Sequence, residues 1–578
     1  MGQASPFVNC AVLREADRAH RLTEARAFGS ARLVASLWDM LNRFCRLNLF
    51  GFLLAMAAAQ DADLFLGSDI YPYLERWDIR AYADTFLPVE TRPWAREEAR
   101  NFLLRIDTTH LHRLDKARYH RAVFQLLDSL PPRSGRAAFL FPNRRDLIEA
   151  RSAWGYLVIG PLLHLSAGRD SSGLLYQNTR GAYLRARLGK KVGIYADFLE
   201  TQARVPFFIA DRYNTYQSLW GEAFIKVISP RTFDYNNSRG YITYSPIPAV
   251  RIKFGRDKAF WGPGFQSLYL SDYGPEYLYL HIRTRLGRWE YHNFFAQFVD
   301  FIPNKPDAWG DYPRKYAAIH QLLWRPARGL TLGLYEAVMY SPWTPTGRRG
   351  IELTYFIPVI FYRSIEQYLG SPDNGFLGVF GRANLWKHIQ LYGQILIDDY
   401  NFSKRKEGQG WWANKYAFQG GVKIIDAFLP TLDLFAEYNQ VRPYTYSHSN
   451  ISNAWTHYGQ FLGHPYGANF SELSAAFRYQ PFGGLTLEGR YIYVLQGVNT
   501  PTRNWGSSPF VSDVTFVQPF GNRLLQGDRV NQRLLMGRVS YQPVYQPAYV
   551  EVEGHWRNGA VALLGGVRWM ITPKMLRF

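Results

Sequence analysis

The chain has 578 residues, of which 47% are hydrophobic and 16% aromatic, with 39 Tyr, 39 Phe and 17 Trp. The mean hydropathy is only −0.25, and beyond residue 60 no run reaches the ~18 apolar residues of a membrane-spanning helix. This aromatic load fits poorly with one soluble core, and nothing resembles a nucleic-acid recognition motif despite the net charge of +20.

Residues 1–39 mix Arg14, Glu15, Asp17, Arg18, Arg21, Glu24 and Arg26 with alanines and read as an upstream extension. Residues 40–59 have the pattern of a secretory signal peptide: Arg43 and Arg46, an apolar core from Leu47 to Met56, then Ala57-Ala58-Ala59. The mature chain is expected to begin near Gln60. Cys10 and Cys45 both precede that point, so neither a disulfide nor thiol chemistry is expected after it.

Residues 60–135 read as a small helical periplasmic cap. Residues 61–90 look irregular or extended. Thr91-Arg92-Pro93 then predicts a helix start, followed by Ala99, Phe102, Leu103 and Ile106 at i, i+3, i+4, i+7. A second helix is expected with Tyr119, Ala122, Val123, Leu126, Leu127 and Leu130 on one face, stopped by Pro131-Pro132.

Residues 136–578 read as an outer-membrane β-barrel, and from about Trp154 the period changes to two. Leu184, Ala186 and Leu188 alternate with Tyr183, Arg185 and Arg187; Val550, Val552, Gly554 and Trp556 alternate with Glu551, Glu553 and His555. Charges of both signs on one face of strand after strand predict pairing across the lumen of a closed barrel. The fold class is therefore all-β: a transmembrane antiparallel β-barrel of about 18 strands, with even counts of 16 or 20 open. Strand centres are expected near residues 160, 184, 196, 224, 243, 253, 281, 294, 319, 335, 356, 380, 394, 420, 435, 476, 490, 536, 551 and 566, some of them merging. The chain ends in Met575-Leu576-Arg577-Phe578, similar to the terminal signal read by barrel-insertion machinery. The expected location is the outer membrane of a Gram-negative bacterium, with outer-membrane lipid and lipopolysaccharide as surroundings and a monomeric state. The positive charge suits an anionic polysaccharide or lipopolysaccharide, or reflects base composition alone.

Short turns at 325–329 and 478–484 suit the periplasmic side. Long connections at 257–275, 302–313, 341–349, 402–413, 442–468 and 497–527 suit the outside and concentrate Trp261, Trp309, Trp343, Trp411, Trp412, Trp455 and Trp505. Such rings stack on the apolar faces of sugars, or else fill the barrel mouth. His448, His457 and His464 are spaced unlike a zinc site, and Asp257, Asp272, Asp398 and Asp399 show no spacing that demands calcium. No metal, cofactor or catalytic residue is expected.

Gly255-Arg256-Asp257, Phe260-Trp261-Gly262-Pro263-Gly264 and Leu268-Tyr269-Leu270-Ser271 resemble the outer-membrane capsule assembly proteins of the Wzi family, in the version found in Bacteroidota. Glu437-Tyr438-Asn439-Gln440-Val441-Arg442-Pro443-Tyr444, Thr456-His457-Tyr458-Gly459-Gln460 and His464-Pro465-Tyr466-Gly467 add to the resemblance, and RemB-type gliding-motility proteins are similar in the same places. The resemblance implies an eighteen-stranded barrel with a periplasmic helical bundle, a lectin-like hold on capsular polysaccharide, and no catalysis. The residues assigned to polysaccharide are Phe260, Trp261 and Trp455 for stacking, Arg348, Arg349 and Arg442 for anionic sugars, and Tyr444, His448 and His464 for hydrogen bonds. A motility or secretion component, a porin-like channel and a hydrolase are the alternatives. The Trp-Gly-Pro-Gly turn is read either as a sugar platform or as a latch folded into the lumen.

Overall fold

A computed structural model describes residues 61–571 except 84, 86, 110, 128–144, 304–311, 345–346, 360, 371–372 and 544–545. The expected leader, the prolines at 131–132, Trp309 and the terminal Met575–Phe578 signal lie outside the described residues.

Eighteen antiparallel strands close into a barrel in simple up-and-down order. They are β1 (Gly155–Asp170), β2 (Gly173–Leu188), β3 (Val192–Arg204), β4 (Thr232–Tyr244), β5 (Val250–Asp257), β6 (Tyr277–Leu286), β7 (Trp289–Val299), β8 (Arg314–Ala327) and β9 (Leu330–Tyr340), continuing with β10 (Asn374–Leu385), β11 (Ile389–Asp399), β12 (Lys415–Ile424), β13 (Leu432–Val441), β14 (Phe470–Tyr479), β15 (Leu485–Val498), β16 (Asp528–Tyr541), β17 (Ala548–Arg557) and β18 (Ala560–Trp569). The ring closes where β18 pairs with β1, Trp569 opposite Leu163 and Ala562 opposite Asp170.

The alternation sorts as the pattern predicts. Leu188, Phe254, Leu334, Val379, Val550 and Leu563 point outward and are exposed, as an apolar lipid-facing belt requires. Arg185, Lys253, Glu437, Glu488, Arg538 and Glu551 point inward and are buried or form lumenal ion pairs. Two of the expected strand centres are not barrel strands. Residue 224 precedes a short strand, Ile225–Ser229, that pairs only with the outer end of β4. Residue 356 ends a 3-10 turn, Leu353–Phe356. Both lie in long connections whose local alternation covers the barrel instead of joining it.

Most connections alternate in length around the ring; the exceptions are the two-residue turns 171–172 and 558–559, which lie at the long-loop end. At one end, 245–249, 287–288, 328–329, 386–388, 425–431, 480–484 and 542–547 are short; at the other, 205–231, 258–276, 300–313, 341–373, 400–414, 442–469 and 499–527 are long. Trp154, Trp386, Phe428 and Phe482 stand exposed in short turns, where an aromatic belt meets the membrane interface.

Three helices fill the short-turn end: α1 (Ile70–Ile79), α2 (Arg96–Leu104) and α3 (Arg113–Leu126). Helix α1 corrects the expectation of irregular chain over 61–90. Ile70, Leu74 and Trp77 fall at i, i+4, i+7 and are fully buried, and Pro72 sits in the first turn, where its missing N–H is harmless. Helix α2 starts later than expected, with Ala95 as its N-cap. Thr91–Arg92 is instead a short strand paired with Phe260–Trp261, a segment of the loop between β5 and β6. Ala99, Phe102 and Leu103 pack as predicted, as do Ala122 and Leu126 of α3, around the fully buried Trp77 and Trp94.

Candidate functional site: a shut lumen and its outer mouth

Acidic side chains of the helical unit meet basic side chains of the wall. Asp61 accepts from Arg185 at 3.0 Å, Asp63 from Arg251 and Lys253 at 2.7 Å each, and Glu98 from Arg283 at 2.6 Å and Arg285 at 3.0 Å. Glu90 pairs with Arg382 and Arg325, Asp78 with Arg382 at 2.7 Å, and Asp69 with Arg568 at 3.0 Å. A lumenal cation is costly to bury alone, and the plug supplies the counter-charges.

The Trp-Gly-Pro-Gly loop enters from the opposite end. Gly262 has φ +151, and a Cβ there would stand 2.3 Å from the Gln394 amide nitrogen; a Cβ on Gly264 would stand 2.4 Å from Glu437 Oε2. The wall thus approaches the turn as only glycine allows. Glu437 accepts from the backbone N–H of Phe265 at 2.7 Å and of Gln266 at 3.2 Å, and Gln394 Oε1 from that of Leu268 at 2.9 Å. The N–H of Gly262 donates to the Glu90 carbonyl at 2.8 Å, so the loop and the plug meet in the lumen. Trp261, 1% exposed, packs edge-on against His292 at 5.6 Å and Phe294 at 5.2 Å. Tyr269 stacks on Tyr335 at 4.2 Å, and the loop between β13 and β14 covers it through Trp455, whose indole N–H donates to the Tyr269 carbonyl at 2.7 Å. A cavity of about 280 Å³ remains between α1, this loop and the wall, lined by Glu75, Arg92, Phe265, Arg478, Glu488 and Arg490.

These contacts set the positions of the sequence-predicted residues. Phe260, Trp261, Tyr444, Trp455 and His464 are buried and present no ring face to the outside. Trp261 and Trp455 belong to one lumenal core. His464 lies against Phe470 at 4.5 Å and Glu472 at 3.5 Å, and Tyr444 donates to the Asn504 carbonyl at 2.8 Å. Arg349 is held by Asp373 and Arg348 lies beside Trp343, both on a loop that leaves the mouth. Arg442 and His448 reach the surface in part. Burial lowers the His448 imidazole below its usual range, with Lys415 adding to the effect, while burial and then Lys315 take that of His457 to about 3. His457 is therefore neutral and accepts from the Val299 N–H at 3.0 Å.

Among the described residues, rings that reach the outer mouth include those of two zipped loops, 400–414 and 499–527. Backbone bonds Trp412 N–H to Pro519 O at 2.9 Å, Gly521 N–H to Gln409 O at 2.9 Å and Asn522 N–H to Gly410 O at 3.0 Å join them. Trp412 stacks on Phe516 at 4.4 Å, and Trp411 meets Phe520 at 5.0 Å with Lys404 over its ring at 5.3 Å. All four rings are half-buried. Arg442 flanks them, donating to Asn522 O at 3.3 Å, and Arg523 is exposed. Adjacent tryptophans were visible in the sequence; their pairing with Phe516 and Phe520, over a hundred residues on, was not.

A closed barrel with an apolar outer belt, polar lumen and one set of long loops is an outer-membrane protein of a Gram-negative bacterium. Among solved structures, the chain is similar to Wzi from Escherichia coli, an outer-membrane protein involved in group 1 capsule assembly and a carbohydrate-binding β-barrel, at TM-score 0.55 and 14% identity over 89% of this chain and 99% of that one. Pseudomonas aeruginosa OprD matches at TM-score 0.39 and 10% identity, over 72% of this chain and 94% of that one, and Acinetobacter baumannii OccAB3 at 0.38 and 10%, over 72% and 98%. No family model and no curated protein sequence matches. The likeness to Wzi is one of fold.

Proposed function

We propose that this protein is a lectin-like barrel that holds a surface polysaccharide, of capsular type, at its outer mouth and performs no catalytic step. The observation that carries the reading is the filled lumen: helices from one end and two inward loops from the other meet inside it, which supports a surface rather than a pore facing the exterior. On that surface Trp411, Trp412, Phe516 and Phe520 would stack on pyranose faces, with Arg442, Arg523 and Lys404 meeting acidic sugars. The carbohydrate binding stated for the similar E. coli barrel supports the same reading. At about 1 kcal/mol per stacked ring, affinity would come from repetition along the polymer.

The test is binding of purified barrel to polysaccharide shed by the source cells. Trp411→Ala and Trp412→Ala should each weaken it about fivefold, at ~1 kcal/mol per ring, while Trp455→Ala, if folded, should not. Unchanged binding in both mouth variants, or none by the wild type, overturns the proposal. Cells lacking the protein should shed polysaccharide; intact retention with lost surface movement would move the role to motility.

A further inference from the structure

The loop between β9 and β10 does not stay at the mouth. Residues 351–359 and 361–369 lie over the outer faces of β7, β8 and β9, where Tyr355, Tyr362 and Ile365 pack on Phe295, Ala318 and Val338. They also cover polar side chains on the outward face. Tyr362 shares a 2.7 Å hydrogen bond with His320, its backbone N–H donates to Glu336 at 2.6 Å, and Asn293 donates to the Pro358 carbonyl at 2.9 Å. These polar residues sit four to six positions inside their strands from the long-loop ends at Val299, Arg314 and Tyr340, or about 13–20 Å along them. Facing hydrocarbon they would be expensive, which is why the loop must stay down.

Its other side is apolar and bare. Val359 is 81% exposed, Phe361 75%, and Leu353 and Tyr368 are exposed beside them. The eight-residue helix within it, α4 (Tyr362–Leu369), buries Tyr362 and Ile365 and turns Arg363 and Gln367 outward, ending at Gly370 with φ +59. Below it the same wall continues as an apolar groove of about 830 Å³ lined by Leu322, Leu332, Leu334, Val379, Gly393 and Phe418. The exposed apolar side of the loop is thus continuous with the lipid-facing belt.

We infer that residues 351–359 and 361–369 form a foot inserted in the outer leaflet, with Leu353, Val359 and Phe361 among the lipid acyl chains and Arg363, paired with Glu366 at 2.9 Å, at headgroup level. Apolar residues backed by a snorkelling cation are the chemistry of an interfacial element, and the foot anchors the barrel against tilting while keeping His320 and Glu336 out of lipid.

The test uses the full chain with Cys10 and Cys45 replaced by Ser, bearing one new cysteine labelled with bimane and refolded into vesicles containing phospholipid brominated on its acyl chains. Phe361→Cys and, as an independent position, Val359→Cys should be quenched at least half as strongly as Leu334→Cys on the barrel wall, and several-fold more than Arg503→Cys in an outer loop. Heat-dependent gel mobility confirms that each variant is folded. Quenching no greater than at residue 503 overturns the inference. So does a label shielded from both brominated lipid and aqueous iodide, which would mean that a protein surface covers the foot.

Discussion

Trp261 illustrates how one residue's chemistry depends on distant neighbours. The two glycines and proline after it mark a tight turn, and that much is plain in the sequence. The direction of the turn is set by Gln394 and Glu437, more than 130 positions away, which receive the loop's backbone N–H groups inside the barrel. The Trp261 ring is folded into the lumen and buried there, the placement that the latch reading expects. Trp261→Ala should lower the stability of the folded barrel in detergent by about 3–5 kcal/mol, the range for truncating a large buried aromatic, read as a shift in the urea midpoint. The folded fraction should bind polysaccharide like the wild type. A midpoint unchanged from wild type would remove Trp261 from the packing role assigned to it.

At the scale of elements, period-two alternation made the strands legible because each strand separates lipid from a polar lumen. The two surplus strand centres, near 224 and 356, show where that signal misleads: alternation also arises in a loop with one side on protein and the other bare, as Tyr355 and Phe356 show. Helix α1 was hidden for another reason. Of its charged residues, Arg76 is buried and Glu75 and Asp78 are half-buried, all against wall charges that no local pattern displays. Helix α2 carries a testable consequence of such burial. Burial raises Glu97 to about 7 from an ordinary 4.5, and its Oε2 has no hydrogen-bond partner. The docked helix thus holds a proton that a released helix gives up, so Glu97's favourable contribution is full below pH 4.5 and is lost as pH rises through 7. Glu98 beside it behaves oppositely: burial raises its carboxyl, but Arg283 and Arg285 outweigh this and hold it near 2, so its contribution is present above 4.5 and lost as pH falls through 2. Glu97→Gln should therefore stabilise α2 docking at pH 8 by on the order of 1–3 kcal/mol and change little at pH 4, measured by amide hydrogen exchange of the helix. Equal protection of wild type and variant at pH 8 would contradict it.

The whole molecule is a membrane barrel whose charges are organised from inside. The +20 net charge read from the sequence suited an anionic partner outside or base composition alone; the structure shows that Arg185, Arg251, Lys253, Arg283, Arg382 and Arg568 are counter-ions for the helical unit. Arg442, Arg503 and Arg523 are among the cations that reach the outer mouth. Single-channel recording in planar bilayers tests the shut lumen, and with it the choice of surface over pore, most directly. The wild-type barrel should give no stable openings at moderate voltage, and removal of residues 61–127 alone should leave it closed, because the inward loops 258–276 and 442–469 still fill the lumen. Large, stable steps from the intact chain would show an open lumen and contradict the account.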